Sequence, residues 1–250
     1  MRKLTTISRN EVYNAPIIDW NNGTYTPVSN KSIMDLIEDK INSINLVIRS
    51  EEYRASTDTD GNIRGVIGAY NIVTPNENYG QRIMFRNSYD KSMSFAFVEG
   101  TVTWICENGC IKGDYEYKRV HRGVTEGDNS TTMQDVVSNI DTGIKFLQES
   151  FDSITNQMEE LKQIEVAPTE VYDIVGSLWL EKKILNTVQM SVIKKELYFS
   201  DKFRHLGDKD FTAYDMYNHI TGALKLSHPL NYISDHVTAH KFFEETFNLV

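Results

Sequence analysis

The sequence predicts an α+β protein: a β-rich N-terminal half of antiparallel hairpins, covered by one long helix, followed by a helical C-terminal extension. Three observations predict it. Runs rich in Ile, Val and Tyr flank turn signals before residue 123, an unbroken apolar seam runs from Met133 to Leu161, and amphipathic stretches follow Pro168. With neither a Gly/Ser-rich linker nor a repeat of fixed period, the chain divides into an α+β core over 1–166 and a helical extension over 167–250, packed on that core.

Each element has its own signal. Ser29-Asn30 are N-cap types, and Ile33, Leu36, Ile37, Lys40, Ile41 and Ile44 follow at i, i+3, i+4, i+7 spacing, which predicts a short amphipathic helix over 29–44. Ile44 to Ser56 and Ile63 to Val73 read as strands joined by Thr57-Asp58-Thr59-Asp60-Gly61-Asn62, where Asp-Gly signals the turn. Gln81 to Arg86 and Ser92 to Val98 flank Asn87-Ser88-Tyr89-Asp90-Lys91, whose Asn, Ser and Asp favour a turn by bonding nearby backbone. Thr101 to Val120 continues as extended chain, interrupted at Asn108-Gly109.

Past Gly123 the period changes. Met133, Val137, Ile140, Ile144, Leu147, Phe151, Ile154, Met158 and Leu161 recur at alternating steps of four and three, an apolar seam on a helix of roughly 30 residues and about 45 Å. Gly143 and Phe151 suit a helix laid on a curved sheet; an intermolecular coiled coil is the competing reading. Val171 to Tyr198, Thr212 to Lys225 and Asp235 to Phe247 read as three further helices.

Composition narrows the function classes. The 250 residues are 40% hydrophobic and 24% charged, without an apolar run of 18 residues, and Met1-Arg2-Lys3 leads into Thr, Ser and Asn. Neither membrane spanning nor secretion is expected, and two cysteines, Cys106 and Cys110, fit a reducing cytoplasm. The net charge is −9, yet residues 1–125 carry 15 basic and 15 acidic side chains, and 126–250 carry 11 and 20. Such a balance argues against coating duplex DNA by charge alone, while leaving room for a local basic groove and for a protein partner on the acidic half.

Chemistry finds little support. The segment Ser56 to Ile63 is similar to a calcium loop, but its twelfth position is Ile67, and strands flank it. Cys106 and Cys110 lack two further zinc ligands at matching spacing; His205, His219, His228, His236 and His240 read as surface histidines. No G-x-S-x-G elbow, C-x-x-C pair, P-loop or G-x-G-x-x-G occurs. No catalytic residue, metal or other cofactor is therefore expected.

What remains is a basic and aromatic interleaving. Arg82, Arg86, Tyr89, Lys91, Lys118, Arg119 and Arg122, with Phe85, Phe95, Phe97, Trp104, Tyr115 and Tyr117 among them, can present phosphate contacts and base-stacking faces together. Equally, the rings can be sheet core and the cations its solvated alternates.

Asn87-Ser88-Tyr89-Asp90-Lys91-Ser92, then Trp104-Ile105-Cys106-Glu107-Asn108-Gly109-Cys110, resemble a phage and plasmid-like protein family catalogued as domain of unknown function 932. Its pattern is N-S-[HY]-D-x-S, an apolar stretch and a strand ending C-x-N-G. Tyr217-Asn218-His219-Ile220-Thr221, within Tyr214 to Thr221, is similar to its Y-N-x-[LI]-T segment, so the resemblance spans residues 80 to 225. Thr103-Trp104 stands where an arginine is common. The family implies a mobile-element origin without established catalytic residues. Its β-β-β-α order looks like that of Rad-type single-strand annealing proteins, a fold analogy. The resulting expectation is a non-enzymatic phage or plasmid protein, homo-oligomeric, binding single-stranded nucleic acid in recombination or replication. The competing expectation is an interaction or structural protein, such as a host-defence antagonist or virion component.

Overall fold

The structure is a computed structural model that describes residues 5–17, 27–90, 92–104, 108–110, 116–119, 129–228 and 231–249, with 108–110, 116–119, 129–135, 139 and 148 described by backbone alone. The chain is α+β. In order come β1 (Thr5–Thr6), α1 (Arg9–Tyr13), α2 (Asn30–Ser43), β2 (Ile48–Thr57), β3 (Ile63–Ile72), β4 (Tyr79–Ser88), β5 (Phe95–Thr103), β6 (Asn108–Cys110) and β7 (Glu116–Arg119). Then follow α3 (Asn129–Leu161), α4 (Pro168–Leu180), α5 (Thr187–Phe199), α6 (Ala213–Leu224) and α7 (Tyr232–Phe247). Among the described residues the sheet has seven strands in the order β1-β2-β3-β4-β5-β6, with β7 also paired to β5. No helix among them is long and apolar enough to cross a membrane.

The chain forms two compact units: residues 1–75, 81–99 and 115–148, and residues 76–80, 100–114 and 149–250. The division runs through α3 at 148/149, inside the stretch that the sequence assigns to one α+β core.

In the first unit the β2–β3 hairpin closes on Asp58. Its Oδ1 accepts from the amides of Asp60 and Asn62, its Oδ2 from Asn62 Nδ2 and Arg64 Nε, and Gly61 takes the left-handed φ of +83° that the turn requires. Burial raises the Asp58 pKa, but these donors outweigh it and bring it down to about 2. The segment similar to a calcium loop is thus a turn satisfied from within. On the next pairing Gly68 faces Phe85, and a Cβ there would lie 2.3 Å from the ring, so a side chain larger than hydrogen would displace Phe85.

The sequence predicts one covering helix; the apolar face of this sheet is covered by α2 and the first half of α3, with Val12 of the short α1 in the same cluster. Ile33, Met34, Ile37 and Ile41 of α2 share a buried cluster with Val66, Tyr70, Ile83, Phe85, Phe95 and Phe97. Val136, Ile140, Ile144 and Leu147 of α3 belong to the same cluster. Val136, not Val137, takes the buried position, since a 3.6-residue period drifts off a strict 3.5-residue repeat. Phe151, Ile154, Met158 and Leu161 continue the seam but lie in the second unit's core, with Val171, Ile174, Leu178, Ile193, Met216, Ile220 and Phe243.

In the second unit the stretch read as one helix over 171–198 is two. After Leu180 the chain leaves the helix, and Lys183 takes a φ of +57°. Asn186 opens α5 by accepting from the amides of Val188 and Gln189, while Gln189 Oε1 accepts from the Asn186 amide. The apolar spacing bridges this break because Ile184 and Leu185 are buried in the same core. At the end of α3 the chain pairs briefly with the entry to α6: the Val166 amide donates to Phe211 O, and the Ala213 amide to Ile164 O.

Candidate nucleic-acid interface

Alternation along β4 suggested an exposed face of cations, and the structure corrects this: all ten of its residues are buried. Arg82, 3% exposed, donates from Nη1 to Asn71 Oδ1 at 3.0 Å and pairs through Nη2 with Glu52 Oε2 at 3.2 Å. Arg86, 5% exposed, donates to Ser94 O and Ser94 Oγ. Buried guanidinium groups keep their charge by bonding polar groups inside, which removes both from a phosphate-binding surface. Tyr89 is buried too, its hydroxyl accepting from the Asn30 amide at 2.8 Å. Lys118 and Arg119 lie on β7, opposite Ala96 and Phe95, with their side chains outside the described residues. Lys91 and Arg122 lie outside them altogether.

The turn expected over Asn87–Lys91 starts later, since Asn87 and Ser88 end β4 opposite Val66 and Gly65, and this strand end with Tyr89 is an anchor for α2. Asn87 Nδ2 donates to Val28 O and Asn30 Oδ1, and with the Tyr89 hydroxyl it holds the residues that begin the helix. Ser88 Oγ donates to Met93 O and accepts from the Met93 amide, and Asp90 Oδ1 accepts from the Ser92 amide. These groups cap local backbone, as turn chemistry requires.

Cations and rings do come together in a cleft of about 730 Å³ within the second unit. Lys162, Lys202 and Arg204 line it, with Trp104, Phe203 and Tyr214. Their sources are four separate stretches: the end of β5, the end of α3, the α5–α6 loop and the start of α6. The 164–166 and 211–213 pairing keeps Lys162 beside Tyr214, and its Nζ lies 5.0 Å from that ring centre and 5.1 Å from Tyr79's. The Trp104 amide donates to Asn78 O at 2.9 Å, which fixes the strand end that carries the indole.

The loop presenting Lys202, Phe203 and Arg204 is a pinned ridge. Ser200 Oγ accepts from the amides of Lys202 and Phe203, and His205 Nε2 donates to Ser200 O. Arg204 is held by α6 on both sides of its backbone: its amide donates to Asp215 Oδ1 at 3.3 Å, and its carbonyl accepts from His219 Nε2 at 3.0 Å. Phe211 stacks on the His219 ring at 12°, and Phe203 meets its edge. Asp215 also accepts from Thr212, so its carboxylate is committed to capping α6. Thus Asp215 and His219 of the Tyr214–Thr221 segment set the ridge in place. Preorganised side chains of this kind bind with less conformational entropy to lose.

Where the sequence predicts surface histidines, three are core: His219, His236 and His240 are each 1% exposed or less. His240 Nε2 donates to Gln157 Oε1, and the Tyr217 hydroxyl donates to its Nδ1. Burial lowers the pKa of His219 against the opposing bond to Arg204 O. Neutral His219 therefore gives a pH signature. The unfolded chain takes up a proton near pH 6.5 and the folded chain resists it, so its contribution is present above that value and lost as pH falls. Denaturant melts between about pH 7.5 and 5 should show a shallower acid loss in His219→Gln than in the parent; identical acid profiles would exclude His219 as a source.

Among the described residues no cluster of three His, Cys, Asp or Glu could hold a metal ion. The family model described as "Domain of unknown function (DUF932)" matches residues 21–239. No curated protein and no solved structure matches the chain. The matched stretch takes in the α2 anchor, Trp104, the ridge and α6, and since it covers well over half of the sequence, the chain belongs to the DUF932 family.

Proposed function

We propose that this chain binds single-stranded nucleic acid in the second unit's cleft and acts by binding alone, bringing complementary strands together in recombination or replication. The observation that carries this reading is the convergence of Lys162, Lys202 and Arg204 with Trp104, Phe203 and Tyr214 around one cleft. Cations track a phosphate backbone, and the half-buried rings of Trp104 and Phe203 can stack on unstacked bases, whose faces a duplex hides, while one face of Tyr214 is already covered by Lys162. At about 730 Å³ the cleft lies within the usual range for ligand sites, roughly 300–1,000 Å³. Of its lining carboxylates, Asp215 is engaged in capping and Glu77 is exposed. Lys162 pairs with the half-exposed Glu159 at 2.6 Å and Arg204 Nη1 donates to Asp210 O, surface contacts that a phosphate would exchange for its own.

A second reading, a protein-interaction component, is favoured by one observation. Tyr172, Trp179 and Leu180 of α4 and Val188 of α5 are 47–64% exposed, an apolar surface that a partner protein would cover.

Fluorescence anisotropy on a labelled single-stranded oligonucleotide at two salt concentrations separates the two. Binding that weakens along a clear salt slope supports the cleft, and absence of binding at low salt supports the protein partner. Replacing Lys202 and Arg204 together with Ala should weaken binding to every sequence and make the slope shallower by about 0.7 per lost phosphate contact. An unchanged slope in a folded variant would remove these residues from the site. Annealing of complementary strands should proceed without ATP and survive EDTA.

A further inference from the structure

We propose that the bound strand does not end in the cleft but crosses the ridge into a second hollow of the same unit, so that the site is a two-chamber track; this rests on the single-strand reading above. The second hollow, about 310 Å³, is lined by Lys195, Phe199, Lys202, Phe203 and Lys225 among others. Lys202 and Phe203 line both chambers, so the two adjoin along the ridge and share a cation and a ring.

The composition of the first chamber repeats in the second. Lys195 of α5 is exposed and Lys225, at the end of α6, is half-buried, and together with Lys202 they supply three cations. Glu196 and Asp201 also line the hollow, leaving it with an excess of one positive charge. Phe199 closes α5 with 73% of its surface in water, the most exposed large apolar side chain among the described residues. An aromatic side chain left so exposed beside lysines is what a base-stacking platform requires. The ridge is pinned through Ser200, Asp215 and His219, so the turn that the strand must follow is set before it binds.

The track predicts a length dependence. Anisotropy with oligothymidylates from about four to about sixteen nucleotides, the span of single-strand site sizes, should show affinity rising until both chambers are filled. Lys195→Ala with Lys225→Ala should leave the shortest bound oligomers unaffected. For the longest, it should weaken binding about ten-fold and make the salt slope shallower by about 1.4, two phosphate contacts at about 0.7 each. Phe199→Ala should produce the same length-selective loss with the slope unchanged, and its exposure protects the fold. If the parent binds and these variants match it at every length, or lose affinity equally at every length, the second chamber is not part of the track. A parent that binds no oligomer overturns the single-strand reading itself, and the track with it.

Discussion

Ile140→Asp should remove the cooperative unfolding transition of the first unit. Ile140 has no exposed surface and sits in the cluster where α2 and α3 meet β3, β4 and β5. A carboxylate placed there either stays ionised without a partner or takes up a proton, and both routes cost several kcal/mol. With the lost apolar contacts the expected destabilisation is about 4–5 kcal/mol, as large as the whole stability of many domains. Thermal melts followed by circular dichroism read the effect, and Lys145→Asp, an exposed position on the same helix, should stay within about 0.5 kcal/mol of the parent. If Ile140→Asp keeps its melting temperature and only breaks up an oligomer, the seam is an intermolecular coiled coil. Because Ile154 lies in the other core, Ile154→Asp should strike the second unit instead.

Much of the fold was readable because local chemistry and tertiary packing agree. Asp-Gly between two β-branched runs gives the β2–β3 hairpin, and Ser29 caps α2, its hydroxyl accepting from the Ser32 amide. The break between α4 and α5 was missed because Ile184 and Leu185 keep the apolar rhythm through a non-helical segment. The signal that marks it is Asn186 with Gln189 three residues on, a capping box. The seam showed where α3 is buried but not that it serves two cores, since spacing reports a buried face and not what buries it.

The site was less legible, for a related reason. Strand alternation marks a binding face only if one side of the sheet meets water, and β4 is buried on both. Arg82 therefore serves Glu52 and Asn71, and Tyr89 serves α2. Of the interleaved cations and rings that the sequence singled out, Trp104 is the one among the described side chains that reaches the cleft. Lys162, Lys202, Arg204 and Tyr214 come from segments brought together only by the pairing of 164–166 with 211–213 and by the clamp of α6 on Arg204. Lys202-Phe203-Arg204 between two helices was a visible trace of the ridge, too short to stand out against the acidic composition of that half.

Trp104→Ala should weaken single-strand binding strongly without touching its salt dependence. The indole is half-buried at the cleft wall, and the strand end that carries it is held through backbone, by its amide on Asn78 O. Truncation therefore removes a stacking face and leaves the frame. Stacking of one base on an aromatic side chain contributes about 1–3 kcal/mol, which corresponds to roughly 5- to 150-fold in affinity. No phosphate contact is lost, so the slope of log K against log salt should remain that of the parent, the opposite signature to replacing Lys202 and Arg204. Trp104→Phe, which keeps a smaller π-face, should recover part of the loss. Affinity unchanged in Trp104→Ala would take the ring out of the site, and a shallower slope would mean that the indole orders the cations and does not itself receive a base.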